Sequence, residues 1–361
     1  MKTRGMPQIT LMLLVVVPLM VSCTASAEPD VVTLAGSDEG YADGSGATAQ
    51  FSGVVAVTVD ADENIYVADS ANHRIRKVTP DGTVTTLAGS DEVDLVDGPI
   101  SEAVFSNPTG IALAPSGVLY VADSAQMDPH PVRVRAITPE GTVTTLAGSS
   151  QAGYKDGWGV DAQFKSPASL TVDAEGNIYM ADTNNHRIRR ISPEGKVTTL
   201  AGPLKSGYAA GYADGLAADA QFEGPRSVAV DADGTVYVAD AGNHSIRVIS
   251  PDGRVTTLAG AEEPGYTDGP GLEARFNFPS GIAVDTKGNL YIADTANHSI
   301  RKITPKGEVT TLAGNGEPGD ADGPASEAQF RAPEGVAVDA RGNLYVADTG
   351  NHRIRKIVLN P

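Results

Sequence analysis

The chain has one cysteine, Cys23, and one tryptophan, Trp158, and aromatic side chains make up only 5% of its 361 residues. A lone thiol excludes an internal disulfide, so the mature protein must be held by packing, hydrogen bonds and charge. Helical patterning is missing too. No stretch beyond residue 22 keeps apolar side chains at the three-to-four spacing of an amphipathic helix. The sequence holds no G-x-S-x-G, no H-E-x-x-H, no phosphate loop and no dinucleotide fingerprint. Positive charge is scarce: 27 Lys and Arg face 45 Asp and Glu, a net charge of -18 that becomes -20 if Lys2 and Arg4 leave with a leader. Such a field repels phosphate backbones and argues against nucleic acid as a partner. Spread along the chain, the carboxylates read as a solubility feature rather than a metal site.

What is abundant points to strands. Forty glycines and 23 prolines, with frequent Val, Thr and Tyr, favour an all-β fold of short strands and tight turns. The start, Met1 to Cys23, has signal-peptide anatomy over residues 1–22: two cations, an apolar run from Ile9 to Val21, then small residues. That run, at about 1.5 Å per residue, is too short to cross a core of about 30 Å as a helix. Met20-Val21-Ser22-Cys23 resembles a bacterial lipobox, which implies that Cys23 becomes the lipidated first residue and that the membrane is met by this anchor only. Residues 23–30 would then be a short linker, and the cell envelope the address. Ala25-Ser26-Ala27 offers the alternative cleavage, which releases a soluble secreted protein.

From residue 31 to 361 the sequence repeats. An Ala-Asp pair places Asp69, Asp123, Asp182, Asp240, Asp294 and Asp348 at spacings of 54, 59, 58, 54 and 54. "VTTLAG" or its variant "VVTLAG" recurs six times, and a third phrase ends in Phe51, Phe105, Phe164, Phe222, Phe276 and Phe330. Within one unit, Gly281 to Asp285, Asn289 to Asp294, Ser299 to Thr304 and Glu308 to Gly314 read as four strands joined by Pro/Gly turns, an antiparallel meander. The repeat begins on a fourth strand, Val31 to Gly36, and ends on a third, Arg353 to Val358. Only a ring lets the first strand complete the last sheet, so the expected architecture is a closed six-bladed propeller.

The chain thus resembles the NHL-repeat six-bladed β-propellers (TolB-like), of the bacterial exported lipoprotein type. The repeat of that family carries Asp-x-x-Asn-His after its second strand, as in "YVADTGNHRIRKI" at Tyr345. Where the family's third letter is Leu, this chain has Arg74, Arg187 and Arg353 or Ser245 and Ser299, a departure that leaves the fold expectation intact. The resemblance implies no single activity, because such propellers include lyases, lactonase relatives, sensor domains and plain binding modules.

Residues repeated around a ring do one job six times. The aspartates above and Arg76, Arg135, Arg189, Arg247, Arg301 and Arg355 are therefore expected to be structural ion pairs and not catalytic groups. Five in-register histidines, His73, His186, His244, His298 and His352, would need to converge to hold a metal, which separate blades oppose. Amidating lyases, similar to this family in fold, do place zinc on propeller histidines. Turns at Asp60, Asp173 and Asp231 echo the start of a calcium loop but lack its closing Glu, and read as hairpins.

Function is expected where symmetry breaks, on the loop face. The residue after the Pro that opens the inner strand varies: Val55 (where Val54 replaces the Pro), Thr109, Ala168, Arg226, Ser280 and Glu334. Arg226 and Glu334 are its only charges, and with Thr109 and Ser280 they are the candidate ligand contacts at the channel mouth. Two insertions bring His130 and Tyr208, which with Trp158 and Tyr212 are candidate specificity-loop residues. The reading is a monomeric binding or interaction module for a protein or small-molecule ligand, with no cofactor. The alternatives are a metal-dependent lyase or lactonase-type enzyme with a divalent ion in the channel, and a cell-envelope scaffold. Elemental analysis of the mature protein separates them: the binding module is expected to carry no stoichiometric ion, whereas one lost on changing axial residues belongs to the enzyme.

Overall fold

The computed structural model describes Met1 and residues 28–125, 131–204 and 210–359. The leader, Cys23, His130 and Tyr208 lie outside the described residues. Within them the fold is all-β, with six antiparallel sheets of four or five strands. The inner strands touch in succession, and the first touches the last, so the sheets close into a six-bladed propeller.

Blade 5 shows the plan. From the axis outwards it runs Pro279–Val284, Leu290–Asp294, Ser299–Ile303 and Glu308–Ala313. β-branched and apolar residues fill these strands, and the turns between them hold a glycine in the left-handed region, Gly288 (φ 79°) and Gly307 (φ 80°), the second turn also holding Pro305. A feature not anticipated from the sequence is a two-residue outer strand, here Gly269–Pro270, which the connecting segment adds to the edge of five of the six sheets. Proline is tolerated there because the edge needs no further donor, and the added strand shields the fourth strand from pairing with another chain.

Ring closure follows the phase of the repeat. Asp30–Ala35 pairs antiparallel with Arg353–Val358, with Val31 opposite Ile357, and on its other side pairs with Gly323–Pro324. The first strand is thus sandwiched inside the last blade. Between blades, the repeated phenylalanines are fully buried. Phe51 packs with Tyr345 and Ile354 of the preceding blade, and Phe164 with Tyr120 and Val134. Each such ring contributes roughly 1.5–3 kcal/mol, so most of the adhesion between blades is apolar.

The closing seam has an extra clasp. In five blades the first hairpin turn carries Gly117, Gly176, Gly234, Gly288 or Gly342 at positive φ, but blade 1 has Glu63 there at φ 62°. Its carboxylate pairs with Arg341, and with Lys356 Nζ at 3.1 Å, and accepts a hydrogen bond from Tyr345 Oη at 3.4 Å, all in blade 6. Glu63→Gly removes about 1 kcal/mol of left-handed strain together with the clasp. The variant is expected to melt below the wild type in calorimetry, with the gap narrowing at high salt; a higher Tm would mean that the clasp contributes less than the strain costs.

Candidate functional site

The repeated charges form the framework around the site. In blade 6, Arg355 Nη1 meets Asp348 Oδ2 at 2.8 Å, with both side chains fully buried. Arg355 also donates to the carbonyls of Gln329 and Ala321, each at 2.9 Å, and to Asp322 Oδ1 at 2.7 Å. Asp348 accepts from the Arg331 backbone N–H and from Asn351 Nδ2, each at 2.8 Å. The same pattern holds at Arg76, Arg189, Arg247 and Arg301. Each arginine therefore ties together the second strand, the third strand and the connecting segment, and its guanidinium lies over the buried phenylalanine, 5.2 Å from the Phe330 centroid in blade 6.

The second aspartate of each clamp, Asp43, Asp97, Asp156, Asp214, Asp268 or Asp322, was not singled out from the sequence, although an Asp-Gly in every connecting segment was the available signal. Blade 2, whose motif is interrupted, keeps a weaker form, with Arg135 Nη1 3.3 Å from Asp123 Oδ2. Burial pushes Asp123 and Asp240 up to about 6, against the opposing pull of backbone N–H donors and the arginine.

The histidines close helical turns, and four of them reach the next blade. Each of the five has φ between 50° and 58°. His186 Nδ1 accepts the Gly224 N–H at 3.0 Å, His244 that of Phe278 at 3.0 Å, and His298 that of Ala332 at 3.1 Å, always on the next blade. His73 Nδ1 contacts the Ser106 carbonyl. These rings do not fit a shared metal centre, and no group of three or more His, Cys, Asp or Glu able to hold an ion occurs among the described residues. The Asp60 turn is a hairpin: its carboxylate accepts from Asn64 and from Tyr66 Oη. Asp173 and Asp231 do the same with Asn177 and Tyr179, and with Thr235 and Tyr237.

A cavity of about 690 Å³ occupies the ring, lined by all six inner strands. The variable slot, Val55, Thr109, Ala168, Arg226, Ser280 and Glu334, lines it. Arg226 Nη1 lies 3.5 Å from Glu334 Oε2, reaching from blade 4 to blade 6 past the intervening blade 5; the side chains are 35% and 26% exposed. Burial raises the Glu334 carboxyl above its usual range, and Arg226 offsets part of that shift.

Blade 5 supplies a group the sequence reading missed. Phe278 sits in the left-handed region at φ 56°, and the Arg226 guanidinium lies 5.1 Å from its ring centroid. Equivalent positions elsewhere hold Gly53, Asn107, Ser166, Gly224 and Ala332. A bulky residue in this conformation is an outlier that its surroundings must enforce, here through the His244 bond to its N–H. The available signal was the one large residue in an otherwise small slot.

Thr109 and Ser280 line the cavity but are tied to the backbone, Thr109 Oγ1 donating to the Pro167 carbonyl at 2.7 Å and Ser280 Oγ to that of Phe278 at 3.3 Å. Trp158 and Tyr212 lie away from the cavity. Trp158 is on an outer two-residue strand, 57% exposed, with Lys196 Nζ 5.8 Å from its ring. Tyr212 stacks under Arg247 at 4.9 Å and accepts from Thr257 Oγ1 at 3.2 Å.

Residues 51–78, 222–249, 276–303 and 330–357 match the NHL repeat, and residues 101–192 match the Teneurin NHL domain. The chain belongs to the NHL-repeat propellers. This NHL propeller is 30% identical over 338 residues to NHL repeat-containing protein 2 of Gallus gallus, covering 84% of the chain and 46% of the relative. It therefore spans about half the length of that curated relative. Among solved structures it resembles a structural genomics protein of Bacteroides thetaiotaomicron at a TM-score of 0.70 with 23% identity, covering 91% of this chain and 76% of that one. It also resembles an auxiliary nutrient binding protein of the same organism at a TM-score of 0.68 with 21% identity, covering 92% and 77%. At these identities the structural likeness concerns the fold.

The NHL histidines give the propeller a pH signature. Burial holds His186 and His244 below the ordinary histidine range, despite the opposing pull of Glu223. The folded state thus favours the neutral ring, and this stability is complete above the unfolded value of about 6.5 and lost as pH falls through the lower folded value. Asp123 and Asp240, raised to about 6, act in the opposite sense: their contribution is present below the ordinary carboxylate pKa of about 3.9 and lost as pH rises through the folded value. The two slopes overlap, so a difference isolates the histidine. Asn tolerates the left-handed region, and the Tm gap between wild type and His244→Asn is expected to shrink between pH 7 and pH 5. A constant gap would mean that the Phe278 bond does not depend on a neutral ring.

Proposed function

We propose that this NHL propeller is an exported, extracytoplasmic binding module that takes a small polar molecule at the mouth of its central channel and performs no chemistry on it. The observation that carries this reading is the Arg226–Glu334 pair. It is the point where six near-identical blades place opposite charges over a shared cavity, with a strained Phe278 over the guanidinium. The pairs between the repeated arginines and the second-strand aspartates are fully buried and, except for Arg135–Asp123 at 3.3 Å, short at 2.6–2.8 Å. The mouth pair is longer and partly open to solvent. A scaffold of the same fold serves an auxiliary nutrient binding protein, so capture of a small molecule is compatible with the architecture.

Export and anchoring at Cys23 belong to the same reading, supported by the apolar run from Ile9 to Val21 and the residues before the cysteine. No helix among the described residues is long and apolar enough to cross a membrane. Cys23→Ser is expected to move the protein from the membrane fraction to the soluble fraction and to remove lipid mass from its N-terminus; membrane association unchanged by the substitution would refute the anchor.

Two substitutions separate binding from folding. Asp348→Ala leaves Arg355 buried beside an empty site and is expected to cost about 3–5 kcal/mol of stability. Arg226→Ala is expected to shift Tm little, because its pair is partly exposed, and to abolish retention of the small molecule that copurifies with the protein from its host, read by mass spectrometry. Retention unchanged in Arg226→Ala would overturn the channel-mouth reading.

A further inference from the structure

Several of the polar groups at the mouth are already engaged, while Ser124 Oγ is buried without a partner. Thr109 donates to the Pro167 carbonyl at 2.7 Å, Thr183 to that of Pro225 at 2.8 Å and Ser280 to that of Phe278 at 3.3 Å, while the hydroxyls of Ser169 and Ser227 lie 3.2 Å apart. These hydroxyls line the cavity but are engaged by the framework. Among the described residues, the charged side chains lining it are Arg226 and Glu334. The wall also takes in the inner-strand residues Val59, Val230, Val284 and Val338, which are partly exposed, whereas Val57, Ile111, Leu170, Val228, Ile282 and Val336 are buried between blades.

The pair itself restricts what can enter. Its single contact at 3.5 Å is looser than the 2.5–2.7 Å that the structural arginines make to the aspartates of the connecting segments. A neutral ligand that parts the pair leaves two half-buried charges poorly compensated. An anion satisfies Arg226 and repels Glu334, and a cation does the reverse. A ligand bearing both charges replaces each half with an equivalent partner. The two charges must lie close together, because the protein's own are side by side. An α-amino acid meets that condition, with ammonium and carboxylate on one carbon. Phe278 keeps the guanidinium in place while its partner changes, since the stacked ring occupies a face and leaves the N–H edge available.

We propose that the channel mouth binds a free zwitterionic amino acid with an apolar side chain, its carboxylate on Arg226, its ammonium on Glu334 and its side chain directed into the aliphatic bore. This rests on the channel-mouth reading above and narrows it to a chemical class.

The test is calorimetric titration of the full mature protein with L-phenylalanine and L-leucine, and with N-acetyl-L-phenylalanine and L-phenylalaninamide, which each lack one charge. The zwitterions are expected to bind, and each blocked analogue to bind about 10- to 100-fold more weakly. Arg226→Gln should weaken L-phenylalanine but change the amide little, and Glu334→Gln should weaken L-phenylalanine but change the N-acetyl compound little. That crossed pattern assigns each charge to its residue, which a general loss of structure would not do. Equal binding of a blocked analogue, or no heat with either amino acid at millimolar concentration, overturns the zwitterion. Retention of copurifying molecules distinguishes this failure from failure of the broader reading. A retained compound lacking one of the two charges, and lost in Arg226→Gln, overturns the amino-acid class and leaves the site standing. Retention indifferent to both substitutions overturns the site, and the inference with it.

Discussion

One arginine per blade, held between a buried aspartate and the connecting segment, is the constraint on which this propeller depends. Its guanidinium has no direct role in adhesion between blades, which is the work of the phenylalanines and aliphatic side chains. It fixes instead where the long connection lies. In blade 6 it binds the carbonyls of Gln329 and Ala321 and the carboxylate of Asp322. The connection is thereby clipped over the blade it introduces. Buried ion pairs add little net stability relative to apolar residues of the same shape, but losing one partner is severe. Their value here is positional, because every inner strand leaves its connection from the same point and the ring closes without accumulated error.

That regularity makes departures from it informative. Four seams use the hydroxyl after the repeated aspartate to hold the carbonyl that opens the next inner strand, as Thr183 does for Pro225 and Thr349 for Val54. Blade 4 has Ala241 there, and its neighbour opens with Phe278 in a conformation that no other blade fills with a large side chain. After blade 2 the Ser124 hydroxyl makes no such bond and Thr109 holds the Pro167 carbonyl instead, so the seam whose tether position has no hydroxyl at all is the one beside the mouth charges. Strain and loss of a framework bond coincide at the place where Arg226 meets Glu334, which is where a selected local departure belongs if it serves recognition.

The ring, its blade count and its closure were legible in the sequence because they depend on phase, and phase survives substitution. So was the contrast between repeated and variable residues, which led to Arg226 and Glu334 directly. What the sequence did not reveal comes from partners brought together by the third dimension. Asp322 lies 33 residues from Arg355, and His244 lies 34 from Phe278. Neither distance is a periodicity, so neither marks a pair. Trp158 and Tyr212 looked like anchors on composition alone, but register sets their direction, and register placed one on an outer strand and the other under a structural arginine. All five histidines cap a turn in the left-handed region, and the acceptor nitrogens of His186, His244 and His298 add a bridge to the next blade.

The strand Asp30–Ala35 lies between Arg353–Val358 and Gly323–Pro324, both of them made at the far end of the chain. Until synthesis has delivered those residues, the first strand has nothing to pair with and the sixth blade does not exist. The ring therefore closes only once the last blade has been made, and up to that point the chain is an open arc of blades.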